Sequence, residues 1–102
     1  MTDSPMIRSD VWAVMALVAQ QTQRVRIGTG VAVPGLRLAP LAANGIATIN
    51  RLAPGRCFIG LGTGNTAMRM LGHPPPETVA EFKEYIRVVG AFLRGKEVDF
   101  TL

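Results

Sequence analysis

Apolar residues recur at Val11, Val14, Met15 and Val18, the i, i+3, i+4, i+7 spacing of one helix face. Trp12 and Leu17 widen that face. The pattern predicts a helix over residues 9–22, with Ser9 or Asp10 as its cap. A polar stretch at 20–24 ends it. Residues 25–33 then carry β-branched side chains at Val25, Ile27, Val31 and Val33, the mark of a buried strand. Gly28 and Gly30 interrupt this strand, and glycine inside a strand often signals a bulge or a close backbone approach.

A loop is expected over residues 34–39. Pro40 suits the first turn of a second helix over 40–52, with Ala42, Ile46, Ile49 and Ala53 on one face. Pro54-Gly55 stops it. Residues 56–62 read as a second buried strand, carrying Cys57, Phe58, Ile59 and Leu61, and run straight into Gly62-Thr63-Gly64-Asn65-Thr66. Beyond a loop holding Pro74-Pro75-Pro76, Thr78-x-x-Glu81 forms a capping box. A third helix follows with the stripe Phe82, Ile86, Val89 and Leu93, and Gly95 closes it.

The expected order is therefore helix–strand–helix–strand–helix, which implies parallel βαβ units. An internal repeat supports this. Arg24-Val-Arg-Ile27-Gly28-Thr-Gly30 aligns with Arg56-Cys-Phe-Ile59-Gly60-Leu-Gly62 at an offset of 32 residues. A (β/α)8 barrel of roughly 250 residues has a period of roughly 31. A doubly wound sheet gives a similar period, so the spacing favours a barrel without excluding the other.

Composition narrows the class. The chain has 102 residues, 48% hydrophobic and 18% charged, a globular balance. The longest apolar run, residues 11–19, is far short of the roughly 20 residues of a membrane helix. The N-terminus lacks a basic region followed by an apolar run, so a soluble, cytoplasmic chain with no membrane partner is expected. One cysteine, Cys57, and one histidine, His73, exclude an internal disulfide, a cysteine cluster and a multi-histidine metal site within one chain. Cys57, Trp12 and Met15 read as packing residues, and His73 as a surface residue in its proline-flanked loop.

Eleven basic residues against seven acidic give a net charge of +4. Nine of the basic residues are arginines scattered along the chain, as rims and helix ends require. No basic run with interleaved aromatics exists, so no nucleic-acid partner is expected, and an anionic small molecule is the remaining partner for the charge.

The candidate chemistry lies at the carboxyl ends of the two expected strands. Glycines at Gly60, Gly62 and Gly64 let backbone N–H groups approach a ligand, and a following helix favours anions. Asn65 stands where a G-x-G-x-x-G fingerprint needs glycine, and the Gly-Lys-Ser/Thr of a P-loop is absent. Taken alone, the segment fits a tight turn as well as a cofactor loop. Its counterpart Gly28-Thr29-Gly30, one period earlier, strengthens the second reading, because a barrel turns both ends toward one mouth.

In this order and spacing the segments resemble the luciferase-like monooxygenase superfamily, over nearly all 102 residues. The carrying motifs are Asp3-Ser4-Pro5-Met6-Ile7, Ala16-Leu-Val-Ala-Gln20 leading into Arg24-Val-Arg-Ile-Gly-Thr-Gly-Val31, Ala47-Thr-Ile-Asn-Arg-Leu52, Gly60-Leu-Gly-Thr-Gly-Asn65, Glu81-Phe-Lys-Glu-Tyr-Ile86 and Leu93-Arg-Gly95. The chain looks most like the branch that uses the deazaflavin coenzyme F420, such as methylene-tetrahydromethanopterin reductase-like enzymes.

The resemblance implies a (β/α)8 barrel, usually dimeric, with deazaflavin or flavin at the carboxyl ends of the strands. Residues 1–102 would be part of one such domain, from the end of strand two through helix four, with two parallel strands and three helices. Asp3-Ser4 would lie near the deazaflavin ring, Asp3 in the catalytic role. Relatives often carry histidine where this chain has Ser4. Gly30-Val31 would form a non-prolyl cis peptide whose bulge backs the ring. Thr63-Gly64-Asn65 would contact the cofactor's side chain or phosphate, with Asn65 where many relatives have Asp or Glu. The implied activity is hydride transfer between F420 and a small organic substrate, in a homo-oligomer. FMN in a monooxygenase is the alternative. A non-catalytic barrel fragment that acts by self-association is the reading from a different class.

Overall fold

The computed structural model of the chain describes residues 1–6, 8–72 and 78–99. His73 and the three prolines after it, and Ile7 of the first motif, lie outside the described residues. The element order is α1 (Val11–Gln21), β1 (Ile27–Gly28), a 3-10 turn (Pro34–Leu36), α2 (Ala39–Leu52), β2 (Cys57–Phe58), α3 (Asn65–Met70) and α4 (Val79–Leu93). The class is α/β with parallel strands.

Asp10, not Ser9, caps α1, its carboxylate accepting the Ala13 N–H at 2.9 Å. Val11, Trp12, Met15 and Ala19 are buried. Leu17 does not join them and is 62% exposed, because at about 100° per residue it stands some 200° around the helix from Met15. The α2 face holds as expected, with Ala42, Ile46, Ile49 and Ala53 all buried. Ile46, Ile49 and Ala53 pack with α1 and Ile27 into one core.

On its other side α2 presents Ala39, Ala42 and Ala43 to α4. Small side chains there let α4 come close with Tyr85, Val88, Val89 and Phe92. The expected stripe on α4 is therefore corrected. Val89 is in the core, but Ile86 and Leu93 are 44% and 45% exposed. The helix carries two apolar stripes, and α2 takes the one that fits its alanines. The expected caps are present: the Thr78 hydroxyl accepts the Glu81 N–H, and Gly95 has φ +74°, the left-handed turn that glycine takes easily.

The strands are shorter than the pattern suggested. β1 and β2 pair in parallel, Ile27 with Cys57 and Gly28 with Phe58, and a further bridge joins Ala32 to Leu61. Between these pairings β1's chain spends three residues, 29 to 31, where β2's spends two, 59 and 60. That is a one-residue bulge, and it interrupts the ladder that an unbroken strand would have continued.

A third segment flanks β1. The Met1 nitrogen donates to Gly28 O at 2.9 Å, and Gly30 N donates to Met1 O at 2.6 Å. The two bonds straddle Thr29 in the pattern of a parallel bridge. The N-terminal residues, β1 and β2 thus lie side by side, with α1 and α2 as the connections. The sequence pattern did not foresee α3. It is six residues long, too short to show a periodicity, and it starts at Gly64 without a side-chain cap.

Candidate functional site

The site is built around the bulge. Thr29 is the one polar residue among the buried ones described, 2% exposed. Its hydroxyl donates to Gly60 O at 2.8 Å and accepts Gly60 N at 3.0 Å. Gly60 O also accepts from Ala32 N at 2.6 Å, and Gly62 N donates to Ala32 O at 3.1 Å. A side chain thus replaces the backbone partner that the bulge displaces, and the ladder resumes beyond it.

The close approach explains the glycines that follow β2. A Cβ at Gly60 would stand 2.5 Å from Thr29 O, and one at Gly62 would stand 2.5 Å from a Val31 methyl. Gly64, at φ +73°, turns the chain into α3 against the Val33 side chain. Gly30 is different. A Cβ there would meet nothing closer than Met1 O at 4.0 Å, so no packing within the chain demands glycine. The peptide bond from Gly30 to Val31 is cis. The Val31 side chain beside it is 37% exposed, so an apolar surface and a clear approach lie together at the bulge.

Asp3 reaches the same place. Val33 N donates to Asp3 Oδ2 at 3.4 Å, while the Val33 side chain lies under Gly64. The structure thus brings Asp3, Gly30-Val31 and Gly62–Gly64 onto neighbouring strand ends. Burial raises the Asp3 pKa above the ordinary carboxylate range, against the Val33 N–H and the Arg37 charge, and Asp10 adds to the rise. Ser4 stands next to Asp3, partly buried, with its carbonyl accepting Arg8 N at 2.8 Å. Thr63 is partly buried and Asn65 is exposed at the start of α3.

Two residues that the sequence pattern did not single out make contacts between elements here, Thr29 across the bulge and Arg37 beside the start of α1. Thr29 had a signal, a hydroxyl between two glycines in an apolar strand. Arg37 had none. Its guanidinium lies 3.7 Å from Asp10 Oδ1 and 5.1 Å from the centre of the Trp12 ring, within cation–π range. Its backbone carbonyl accepts the Tyr85 hydroxyl at 2.8 Å. Trp12 and Met15 are packing residues, as expected.

Cys57 is only partly buried. It packs against the core, its thiol donates to Ala53 O at 3.6 Å, and burial raises its pKa. It lines an open groove of about 390 Å³ with Ile46, Asn50, Phe58, Ile59 and Leu93. None of the predicted site residues lines that groove. Among the described residues no group of three or more His, Cys, Asp or Glu could hold a metal ion, and no helix is long and apolar enough to cross a membrane.

Comparison with known proteins gives the site its context. The family model described as luciferase-like monooxygenase matches residues 2–101. The chain is 32% identical over 90 residues to a 5,10-methylenetetrahydromethanopterin reductase of Methanolobus tindarius, covering 87% of this chain and 28% of that one. It is 37% identical over 93 residues to an F420-dependent glucose-6-phosphate dehydrogenase of Mycobacterium avium, covering 84% and 28%. The corresponding dehydrogenase of Beutenbergia cavernae is 38% identical over 89 residues, covering 82% and 26%. The chain spans little more than a quarter of the length of these relatives.

Proposed function

Because the chain belongs to the luciferase-like monooxygenase family, we propose that it forms the coenzyme-facing part of a barrel that moves a hydride between F420 and a small organic substrate. The observation that carries this reading is the open approach at Gly30, beside Val31 and Asp3, in a chain whose relatives include F420-dependent dehydrogenases. In the same reading the N-terminal segment, β1 and β2 are strands two, three and four of a (β/α)8 barrel, and the working form is a homo-oligomer.

The donor set fits the group. When bound, the deazaflavin supplies the hydride chemistry. Gly30 leaves the space that a ring face needs, and the half-exposed Val31 side chain gives it an apolar backing. Asp3, partly buried and with its pKa raised, is suited to take up or release a proton at its carboxylate. Ser4 offers a hydroxyl beside it. Thr63, the Gly64 backbone and Asn65 offer polar contacts to the coenzyme's side chain or phosphate. Thr29 and Gly60 lie beneath and hold the bulge in shape. FMN is the alternative occupant of the same face.

Amide NMR of the isotope-labelled chain, titrated separately with oxidised F420 and with FMN, tests this. F420 is expected to move the resonances of Gly30, Val31, Thr63, Gly64 and Asn65 at concentrations where FMN does not. Preferential perturbation by FMN would favour the monooxygenase alternative. Perturbation confined to the groove around Phe58 and Leu93, or none, would remove the reading.

A further inference from the structure

We propose that Thr29 is a positioning residue for the coenzyme face: by taking the Gly60 N–H on its hydroxyl it selects the bulged register, and that register delivers the Val33 N–H to the Asp3 carboxylate. The inference deepens the reading of Asp3, Gly30 and Val31 as one face and rests on it.

The direction of the backbone groups reverses across the bulge. In a strand flanked on both sides, successive residues turn their backbone groups to alternate neighbours. Ile27 N donates to Arg56 O, toward β2. Gly28 O and Gly30 N bond to Met1, toward the N-terminal segment. Odd-numbered residues therefore face β2, and even-numbered ones the N-terminal segment, as far as residue 30. Beyond it the order is inverted. Ala32 faces β2, its N–H on Gly60 O and its carbonyl accepting Gly62 N. Val33 faces the N-terminal segment, its N–H on Asp3 Oδ2 at 3.4 Å.

A side-chain oxygen completes the inversion on each side. An unbroken ladder would bond Gly60 N to Thr29 O, and Ala32 N to Asp3 O. Instead Gly60 N goes to Thr29 Oγ1 at 3.0 Å, and Val33 N goes to the Asp3 carboxylate. Thr29 O still lies against Gly60, 2.5 Å from where a Cβ would stand. The backbone acceptor of the unbroken register is thus close by, and the hydroxyl competes with it for one N–H. Thr29 is buried, so a Gly60 N–H that loses the hydroxyl turns to another protein acceptor or stays unpaired at a cost. Without the hydroxyl the segment is free to sample the unbroken register, in which Val33 turns toward β2 and leaves Asp3.

Amide NMR of the full chain against pH, without coenzyme, tests this. In the unaltered chain the Val33 amide proton should shift as Asp3 titrates, since an amide held by a carboxylate follows its charge, and Asp3→Asn should abolish that shift. Thr29→Val should abolish it with Asp3 in place, and Thr29→Ser, which keeps a hydroxyl, should retain it. Besides the Val33 N–H, burial, Arg37 and Asp10 act on the Asp3 carboxyl, and the Met1 amino group lies on Gly28 O. Arg37, Asp10 and Met1 are common to all the Thr29 variants, so the comparison isolates the hydroxyl. A role in stability alone would lower the unfolding midpoint of Thr29→Val and leave the Val33 response intact. A Val33 amide that follows Asp3 equally in Thr29→Val, or that ignores Asp3 in the unaltered chain, overturns the proposal. If Thr29→Val fails to fold, Thr29→Ser and Thr29→Cys decide: a thiol is the weaker acceptor, so the response should be smaller with cysteine, and equal responses overturn the proposal. Because no coenzyme is present, failure here is separate from failure of the F420 titration.

Discussion

The Thr29 hydroxyl and the Gly60 backbone exchange two hydrogen bonds, one in each direction, at 2.8 and 3.0 Å. Thr29 is 31 residues from Gly60 along the chain, so this exchange joins one repeat to the next at the point where the ladder breaks. Replacing the hydroxyl by a methyl in Thr29→Val keeps the shape and leaves the Gly60 N–H without its acceptor. Gly60 O keeps its Ala32 donor. A loss of about 1–3 kcal/mol is expected in denaturant unfolding, the cost of one buried unsatisfied donor, together with faster exchange of the Gly60 amide. Unchanged stability would show that the bulge does not depend on this pair.

Arg56 fastens the opposite end of the same unit. Its guanidinium donates to Thr22 Oγ1 and Val25 O at 2.9 Å, and to Ala19 O and Thr22 O at 3.2 and 2.9 Å. It thus satisfies carbonyls at the C-terminus of α1 while standing at the start of β2. Lysine keeps the charge but cannot present a planar fork. Arg56→Lys is expected to cost about 1–3 kcal/mol in thermal or denaturant unfolding, more than an exposed arginine such as Arg51 would. Equal effects at the two positions would contradict this.

Stability should depend on Asp3 in a definite direction. Its folded pKa is raised by burial, so the folded chain holds that proton more tightly than the unfolded one. The contribution is most favourable below the ordinary aspartate pKa of about 3.9. It declines as pH rises through the folded value. Asp3→Asn removes this decline while its amide oxygen still accepts the Val33 N–H. Melting curves across the acid range should therefore converge at low pH, with the variant equal or more stable at neutral pH. A variant less stable at neutral pH alone would reverse the sign.

The outer edge of β2 predicts association. Arg56, Gly60 and Gly62 turn their backbone groups toward β1's chain, so by alternation those of Cys57, Ile59 and Leu61 face the other way. Phe58 and Leu93, which line one groove with Cys57 and Ile59, are exposed. An apolar open edge of this kind invites pairing. Sedimentation of the chain is expected to show species larger than a monomer, and a clean monomer would count against it.

Much of this was legible in the sequence where one physical rule governs a position. The spacing of Ala42, Ile46 and Ile49, the Thr78 capping box and the glycine at Gly95 each have a single structural solution. The parallel pairing followed from the repeat, and the cis bond at Gly30-Val31 from the family resemblance. What stayed hidden depends on partners distant in sequence. The bulge needs the register of β1 against β2, which no periodicity encodes. The choice between two stripes on α4 needs the alanines of α2. Arg37 meets Trp12, Asp10 and Tyr85, drawn from two helices and the cap of one of them, and no local spacing marks such a residue.

The claim that the bulge at Gly30 is the coenzyme face is tested most directly by Gly30→Leu. A side chain there meets nothing of this chain closer than 4.0 Å at its first carbon, so the fold should survive, with an amide spectrum changed only near the substitution. It would fill the space that the coenzyme ring is proposed to occupy. F420 titration of the two proteins side by side, followed by amide shifts so that weak binding is still measured, should show affinity lowered at least about tenfold. An equally stable variant that binds F420 as the unaltered chain does would contradict the assignment of this face.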